Sequence, residues 1–145
     1  MASDVRLTEP ANPLSPPLRG LVKRAQFLAA NAGTRVPMPA FVLLRHARGD
    51  AEAAVGYGIT ATRKLGGAVV RNRAKRRLRH AIAQSFPGRA EVGCDYVLIA
   101  RDDALTLAWD RLNADLTSAL AKARRRAADP DYVQAPRPPR RAKRR

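Results

Sequence analysis

The sequence has few of the residues from which disulfide-stabilised domains, zinc clusters and membrane spans are built. Cys94 is the one cysteine among 145 residues, which rules out an internal disulfide and a cysteine-based zinc cluster. No segment reaches the roughly 20 apolar residues that a transmembrane helix needs. The first 17 residues lack the charged region and the following apolar region of a secretory signal. We therefore expect a cytoplasmic protein.

Acidic residues are scarce as well. The chain has 12 Asp and Glu against 28 Lys and Arg, so its formal net charge is +16. No acid occurs between Glu52 and Glu91. Because each cation placed on a phosphate releases a condensed counterion, this excess favours a nucleic acid as the partner. An anionic membrane surface is the competing explanation of the charge, but without an apolar span we expect no membrane partner.

Proline-rich segments at both ends frame one folded region. Four prolines fall within residues 1–17, and residues 133–145 combine prolines with many arginines and lysines. We predict that both segments are disordered and that the basic one adds nonspecific electrostatic attraction. Residues 18–132 remain for a single domain with one hydrophobic core.

Apolar spacing predicts the elements of this domain in the order α-β-β-α-β-α. The first helix should end near Gly33, and its apolar stripe consists of Leu21, Ala25, Leu28 and Ala32. Strands are predicted at 41–47, 55–62 and 95–101, the first two as an antiparallel hairpin with a long loop. The third strand has a continuous apolar middle, which indicates burial on both faces.

Two longer helices complete the predicted domain. The second runs from about Ala68 to Phe86, where Pro87-Gly88 stops it. The last has an apolar stripe formed by Trp109, Leu112, Leu116, Ala119, Leu120 and Ala123. Helices packed on a small mixed β-sheet are the economical way to bury these faces, so the sequence predicts an α+β fold.

The second helix, VVRNRAKRRLRHAIAQSF, combines an apolar face with an unusual density of cations. Its predicted buried face consists of Val70, Ala74, Leu78, Ala81 and Ile82. Beside it, Arg71, Lys75 and Arg79 form a ridge, and Asn72, Arg76 and Arg79 form a second row. A merely solvated helix face usually has both charge signs, whereas here no acid is available for pairing along the helix. We interpret the face as a rigid surface that binds phosphates.

The chain leading into this helix offers a second polar surface. Thr60, Thr62 and Lys64 alternate along the predicted strand and should therefore point to one side. Two hydroxyls and an ammonium group beside a basic helix suit a flexible nucleic-acid backbone. Phe27 lies off the apolar stripe of the first helix. It is either a platform for a stacked base or an ordinary core residue.

The stretch GITATRKLGGAVVRNRAKRRLRHAI resembles the signature of the protein subunit of bacterial ribonuclease P. The resemblance extends over about residues 18–126 and includes the first-helix pattern around Phe27, the FVLL strand, DYVLIAR and the last helix. It implies an uncommon left-handed β-α-β crossover in the sheet, where the general rule favours the right-handed one.

The resemblance also implies two sets of site residues. One set, similar to the family's helix that contacts the catalytic RNA, consists of Arg71, Asn72, Arg73, Lys75, Arg76 and Arg79. The other is similar to the cleft that holds the single-stranded 5′ leader of precursor tRNA and consists of Phe27, Thr60, Thr62 and Lys64. The family often has further cleft aromatics where this chain has Ala30 or Asn31, and near Leu44.

The sequence suggests no catalytic or metal-binding residues of its own. His46 and His80 fit structural or solvated positions, Asp102-Asp103 fit a turn or a helix N-terminus, and Cys94 fits a small buried apolar residue. The resemblance implies that the RNA subunit performs the hydrolysis with metal-activated water. Mg²⁺ would be bound mainly by that RNA and the substrate, and the free protein should be a monomer.

Three other functions compete with this interpretation. A structural RNA-binding protein of the ribosomal type would share the basic surface but would not need the leader cleft. A helix-turn-helix DNA-binding protein needs a short turn between paired helices, whereas Gly66-Gly67 follows a predicted strand. A nuclease made of protein alone would need clustered carboxylates or catalytic histidines.

Overall fold

A mixed β-sheet with helices on both faces forms the domain. The computed structural model describes residues 18–49, 54–129 and 131–132, so the predicted disordered segments 1–17 and 133–145 lie outside the described residues. Within the described residues the elements are β1 (Leu18–Gly20), α1 (Arg24–Asn31), β2 (Thr34–Pro37), β3 (Phe41–Ala47), β4 (Val55–Thr60), α2 (Ala68–Ser85), β5 (Cys94–Ala100) and α3 (Trp109–Ala128). The predicted α+β fold is confirmed.

Two strands were not predicted. β1 and β2 are only three and four residues long, too short for an alternating pattern to stand out from a loop. β1 pairs with β4, and β2 pairs with β3. β1 forms a strand because it pairs with β4, which is distant in the sequence, and β2 forms a strand because it pairs with β3, which follows it after a turn.

The strand order is β1-β4-β5-β3-β2. β5 pairs in parallel with β4 and antiparallel with β3, so the predicted hairpin between β3 and β4 is wrong. β5 takes the central position because its residues are buried on both faces, and such a strand needs a neighbour at each edge. The chain from β4 through α2 to β5 is the parallel crossover, and its left-handed sense remains a prediction.

The main core lies between one face of the sheet and the helices α2 and α3. The predicted buried face of α2 is confirmed for Ala74, Leu78, Ala81 and Ile82, which are fully buried, whereas Val70 is only partly buried. On α3, five of the predicted stripe residues are buried, but Trp109 is 40% exposed. It lies at the first turn of α3, where the helix begins beyond the packed core.

A smaller cluster covers the opposite face, where α1 packs on the sheet. Its buried members are Leu21, Ala30, Val42, Leu44 and Val97, with Phe27 packed against them. Of the predicted stripe of α1 only Leu21, which precedes the helix, is buried; the rest of the stripe is wrong, since Leu28 is 55% exposed and Ala25 and Ala32 are also exposed. An eight-residue helix carries too few apolar positions to show from the sequence which side faces the sheet.

An ion pair ties the ends of three strands together. Arg48 Nη1 donates to Asp95 Oδ1 at 2.6 Å, and Arg48 Nη2 donates to the carbonyl oxygen of Ala54 at 2.7 Å. The Asp95 side chain is 4% exposed. Gly56 on the neighbouring strand makes room for this carboxylate, since a Cβ atom there would collide with Asp95 Oδ1. This contact holds β3, β4 and β5 together at the end of the sheet where β5 begins.

Candidate nucleic-acid interface

The cations of α2 lie on its solvent side and along the edge of its packed face. Its apolar face is held on the sheet and α3, so the opposite faces must point outward. Asn72, Arg73 and Arg76 are exposed, whereas Arg71, Lys75 and Arg79 are partly buried along the edge of the packed face. The structure thus brings the six predicted RNA-subunit-binding residues together on one helix.

The charges of this surface are not neutralised within the described part of the chain. None of the ion pairs found there involves α2. Arg71 Nε is enclosed and has no hydrogen-bond partner among the described residues. A helix held rigidly by its apolar face and carrying unpaired guanidinium groups is suited to phosphate oxygens, which accept paired hydrogen bonds from arginine.

Arg77 differs from its neighbours because its guanidinium is already used. Nη1 donates to the carbonyl oxygen of Ala104 at 2.8 Å, and Nη2 donates to that of Leu107 at 2.7 Å. The same group lies 6.0 Å from the centre of the Trp109 ring. Arg77 therefore anchors α2 to the segment that precedes α3. The sequence alone did not reveal this role.

The second predicted site begins where β4 ends. Thr60 is the last residue of β4 and lies opposite Ile99 of β5. Gly58 and Thr60 share the face of the sheet on which α1 packs, as the contact between Gly58 and Phe27 shows.

Thr62 and Lys64 are both exposed but lie outside the strand. Residues 63–65 form a 3₁₀ turn in which Leu65 N–H donates to the carbonyl oxygen of Thr62 at 3.0 Å. The predicted strand alternation is therefore wrong for Lys64, because the chain curls before reaching it. The turn leads into α2, so the polar groups after β4 and the cations of α2 are neighbours along the chain.

Phe27 occupies the boundary between the α1 cluster and solvent. Its side chain is partly buried, and its ring contacts the sheet at Gly58. Both uses considered for Phe27 thus remain compatible with its position. Of the places where the family often has further aromatics, Ala30 is fully buried and Leu44 is 2% exposed, whereas Asn31 is partly buried; none of the three supplies a ring.

The potentially reactive side chains are dispersed. His80 is exposed on α2, His46 is partly exposed on β3, and Asp102 and Asp103 lie on an exposed 3₁₀ turn. Burial raises the pKa of the Cys94 thiol, so it stays protonated at neutral pH. Across residues 18–49, 54–129 and 131–132, no group of three or more His, Cys, Asp or Glu side chains could hold a metal ion.

Sequence and structure comparisons agree on one family. The model of the family described as Ribonuclease P matches residues 16–124. A relative from Erythrobacter litoralis, named ribonuclease P protein component, is 44% identical over 109 residues, covering 74% of this chain and 88% of the relative. A relative of the same name from Caulobacter vibrioides is 44% identical over 100 residues.

Solved structures of the same family have the same fold. The RNase P protein of Staphylococcus aureus superposes with a TM-score of 0.60 at 26% identity, covering 72% of this chain and 94% of that protein. The protein from Thermotoga maritima gives a TM-score of 0.60 at 25% identity, covering 72% of this chain and 96% of that protein.

Among the described residues, none of the helices has the length and apolar character of a membrane span.

The family match spans the whole described sheet, α2 and most of α3, so the site residues lie within it. The chain belongs to the family of protein components of bacterial ribonuclease P.

Proposed function

We propose that the chain binds the catalytic RNA of ribonuclease P through α2 and the 5′ leader of precursor tRNA through the sheet face beside α1. As a ribonuclease P protein component it is part of an endoribonuclease and partners the ribonuclease P RNA. The observation that carries the finer assignment is the uncompensated cationic surface of α2, placed directly after the polar end of β4.

The surface of α2 suits a folded RNA subunit. Its residues are Arg71, Asn72, Arg73, Lys75, Arg76 and Arg79, and rigid attachment to the core keeps them in fixed relative positions. A structured RNA presents phosphates in fixed positions too, so little backbone entropy remains to be lost on binding. Contacts of this kind are expected to be strongly salt-dependent.

The sheet face beside α1 suits a single strand. Phe27 supplies a ring and Thr60 a hydroxyl on the same face, while Thr62 and Lys64 follow on the turn that leads to α2. Single-stranded nucleic acid is bound by stacking of bases on aromatic rings and by contacts to its backbone. The leader is the part of precursor tRNA that offers such a strand.

The chemistry of hydrolysis is assigned to the RNA subunit. Guanidinium and ammonium groups do not ligate Mg²⁺, which prefers oxygen ligands, so the arginines and the lysine of α2 do not bind the metal. Mg²⁺ would be bound mainly by RNA phosphates and would activate the attacking water. The cations of this chain would reduce the repulsion between the RNA subunit and the substrate and thereby favour metal binding.

Cleavage of precursor tRNA at low Mg²⁺ tests this function. The RNA subunit should cleave at the mature 5′ end far more efficiently with the protein than without it. The protein with Mg²⁺ but without the RNA subunit should give no specific product. A clean cut by the protein alone would place the active site in the protein and overturn the proposal.

A further inference from the structure

Trp109 is a large apolar side chain that the core does not use. It precedes Leu112 and Leu116 by three and seven residues, the spacing of one helix face. Both leucines are fully buried, whereas Trp109 is 40% exposed. The exposed part of an indole contributes to stability only when a partner covers it. Packing of the core therefore does not explain why a tryptophan stands at this position.

Arg77 holds this indole against α2. Its guanidinium lies 6.0 Å from the ring centre and is fixed by the carbonyl oxygens of Ala104 and Leu107 at 2.8 and 2.7 Å. A cation over an indole is attracted by the π-system. Because Arg77 itself cannot move freely, Trp109 is supported as a rigid ring at the surface.

The surroundings of Trp109 indicate what the ring binds. Arg73 lies one helical turn before Arg77 on α2 and is exposed, so among the described residues it is the free cation next to the arginine that contacts the indole. The carboxylates near Trp109 in the sequence, Asp102, Asp103 and Asp110, belong to the segment before α3 and to its first turn. The cations thus belong to α2 and the carboxylates to the segment of Trp109 itself, so a phosphate is favoured towards α2 and a neutral group on the ring. A nucleotide has both parts.

We propose that Trp109 stacks on an unpaired base of the ribonuclease P RNA, with the adjoining phosphate on Arg73. This inference rests on the proposed binding of that RNA by α2. It extends the interface beyond α2 to the start of α3. Stacking on a ring does not require a particular base, so this contact would tolerate changes in the RNA sequence at that position.

Trp109 is the one tryptophan of the chain, so the indole fluorescence of the protein comes from this residue alone. A stacked base quenches indole emission. When the full-length protein is titrated with the RNA subunit, emission should fall and level off at the RNA concentration at which a gel shift shows complete binding. Unchanged emission with complete binding would overturn the inference while leaving the proposed function intact. Absence of binding in the gel shift would overturn both.

Variants separate stacking from a structural role. Trp109→Leu should lower the affinity for the RNA subunit at least about fivefold, the lower end of the range for one base–aromatic stack. Trp109→Phe should retain most of the affinity because a phenyl ring also stacks. Val92→Ala, which removes an exposed apolar side chain elsewhere (Val92 is 58% exposed), should bind as the unaltered protein does. Equal affinity of Trp109→Leu and the unaltered protein would overturn the inference. If Trp109→Leu does not fold, the fluorescence titration of the unaltered protein decides.

Discussion

The ring of Phe27 lies against the backbone of Gly58: a Cβ atom at position 58 would be 2.5 Å from Phe27 Cε1. Only glycine at this position lets the ring pack directly on the sheet, because Cβ atoms in proteins do not approach other heavy atoms so closely. Gly58 thus determines how closely the Phe27 ring approaches the sheet face on which we place the leader.

The contact between Phe27 and Gly58 should control leader binding. Phe27→Ala should weaken binding of precursor tRNA by the reconstituted holoenzyme by about 1–3 kcal/mol if the ring stacks on a base, and should spare mature tRNA, which has no leader. Gly58→Ala should act in the same direction by displacing the ring. Gly67→Ala is the control, since no atom lies within 4 Å of a Cβ there. If Phe27 is only a core residue, Phe27→Ala will instead lower the free energy of unfolding and leave the ratio of precursor to mature tRNA affinity unchanged.

The two proposed surfaces should be separable by mutation. Arg71→Ala and Lys75→Ala should each weaken assembly with the RNA subunit by about 1 kcal/mol, the value of one lost hydrogen bond. Thr62→Val and Lys64→Ala should leave assembly nearly unchanged and lower the ratio of precursor to mature tRNA affinity. These affinities are measured in reconstituted holoenzyme at fixed salt.

Lys122→Ala is the matched control for charge, since Lys122 lies on α3 and belongs to neither proposed surface. It should change neither assembly nor the affinity ratio. If variants of α2 and of the turn after β4 lower both tRNA affinities equally, the assignment of separate roles is wrong.

The buried ion pair should matter far more for folding than an exposed one. Arg48→Met leaves the Asp95 carboxylate buried without its partner and should lower the free energy of unfolding by about 3–5 kcal/mol. Arg124→Met removes an exposed pair with Glu91, in which the Arg124 side chain is 68% exposed and Glu91 keeps its contact with Arg45, and should cost less than about 1 kcal/mol. Urea denaturation of both variants measures the difference. Similar losses would show that Arg48–Asp95 does not fix the strand ends.

Alkaline pH should destabilise the fold through Tyr96. Burial raises the pKa of Tyr96 from 10.0 to about 12, so the native state binds the phenol proton more tightly than the unfolded chain. This stabilisation is complete below pH 10 and is lost as the pH rises towards 12, by about 2–3 kcal/mol. The measurement is the difference in unfolding free energy between the unaltered protein and Tyr96→Phe as a function of pH.

Tyr96→Phe also removes the hydroxyl that accepts a hydrogen bond from Glu91 N–H at 3.0 Å. That loss should appear as a constant offset at all pH values below 10. A difference that stays constant up to pH 12 would show that Tyr96 titrates normally in the native state.

Local pattern was sufficient for α2. Apolar residues at spacings of three and four, Gly66-Gly67 before them and Pro87-Gly88 after them predicted both its bounds and its buried face. The same pattern placed the six polar and cationic residues on the outward faces. A long helix repeats its signal over several turns, so each residue adds to the same prediction.

The sequence by itself therefore determined the α+β class, the extent of α2, β3 and most of α3, and the residue set of the cationic surface. Only the tertiary structure decided the strand order, the sheet-facing side of α1 and the curl that takes Lys64 out of β4. It also decided that Leu112 is buried while Trp109, on the same helix face, is not. The physical reason is common to these cases: they depend on which distant segment occupies the neighbouring space, and periodicity along the chain reports only which faces are apolar.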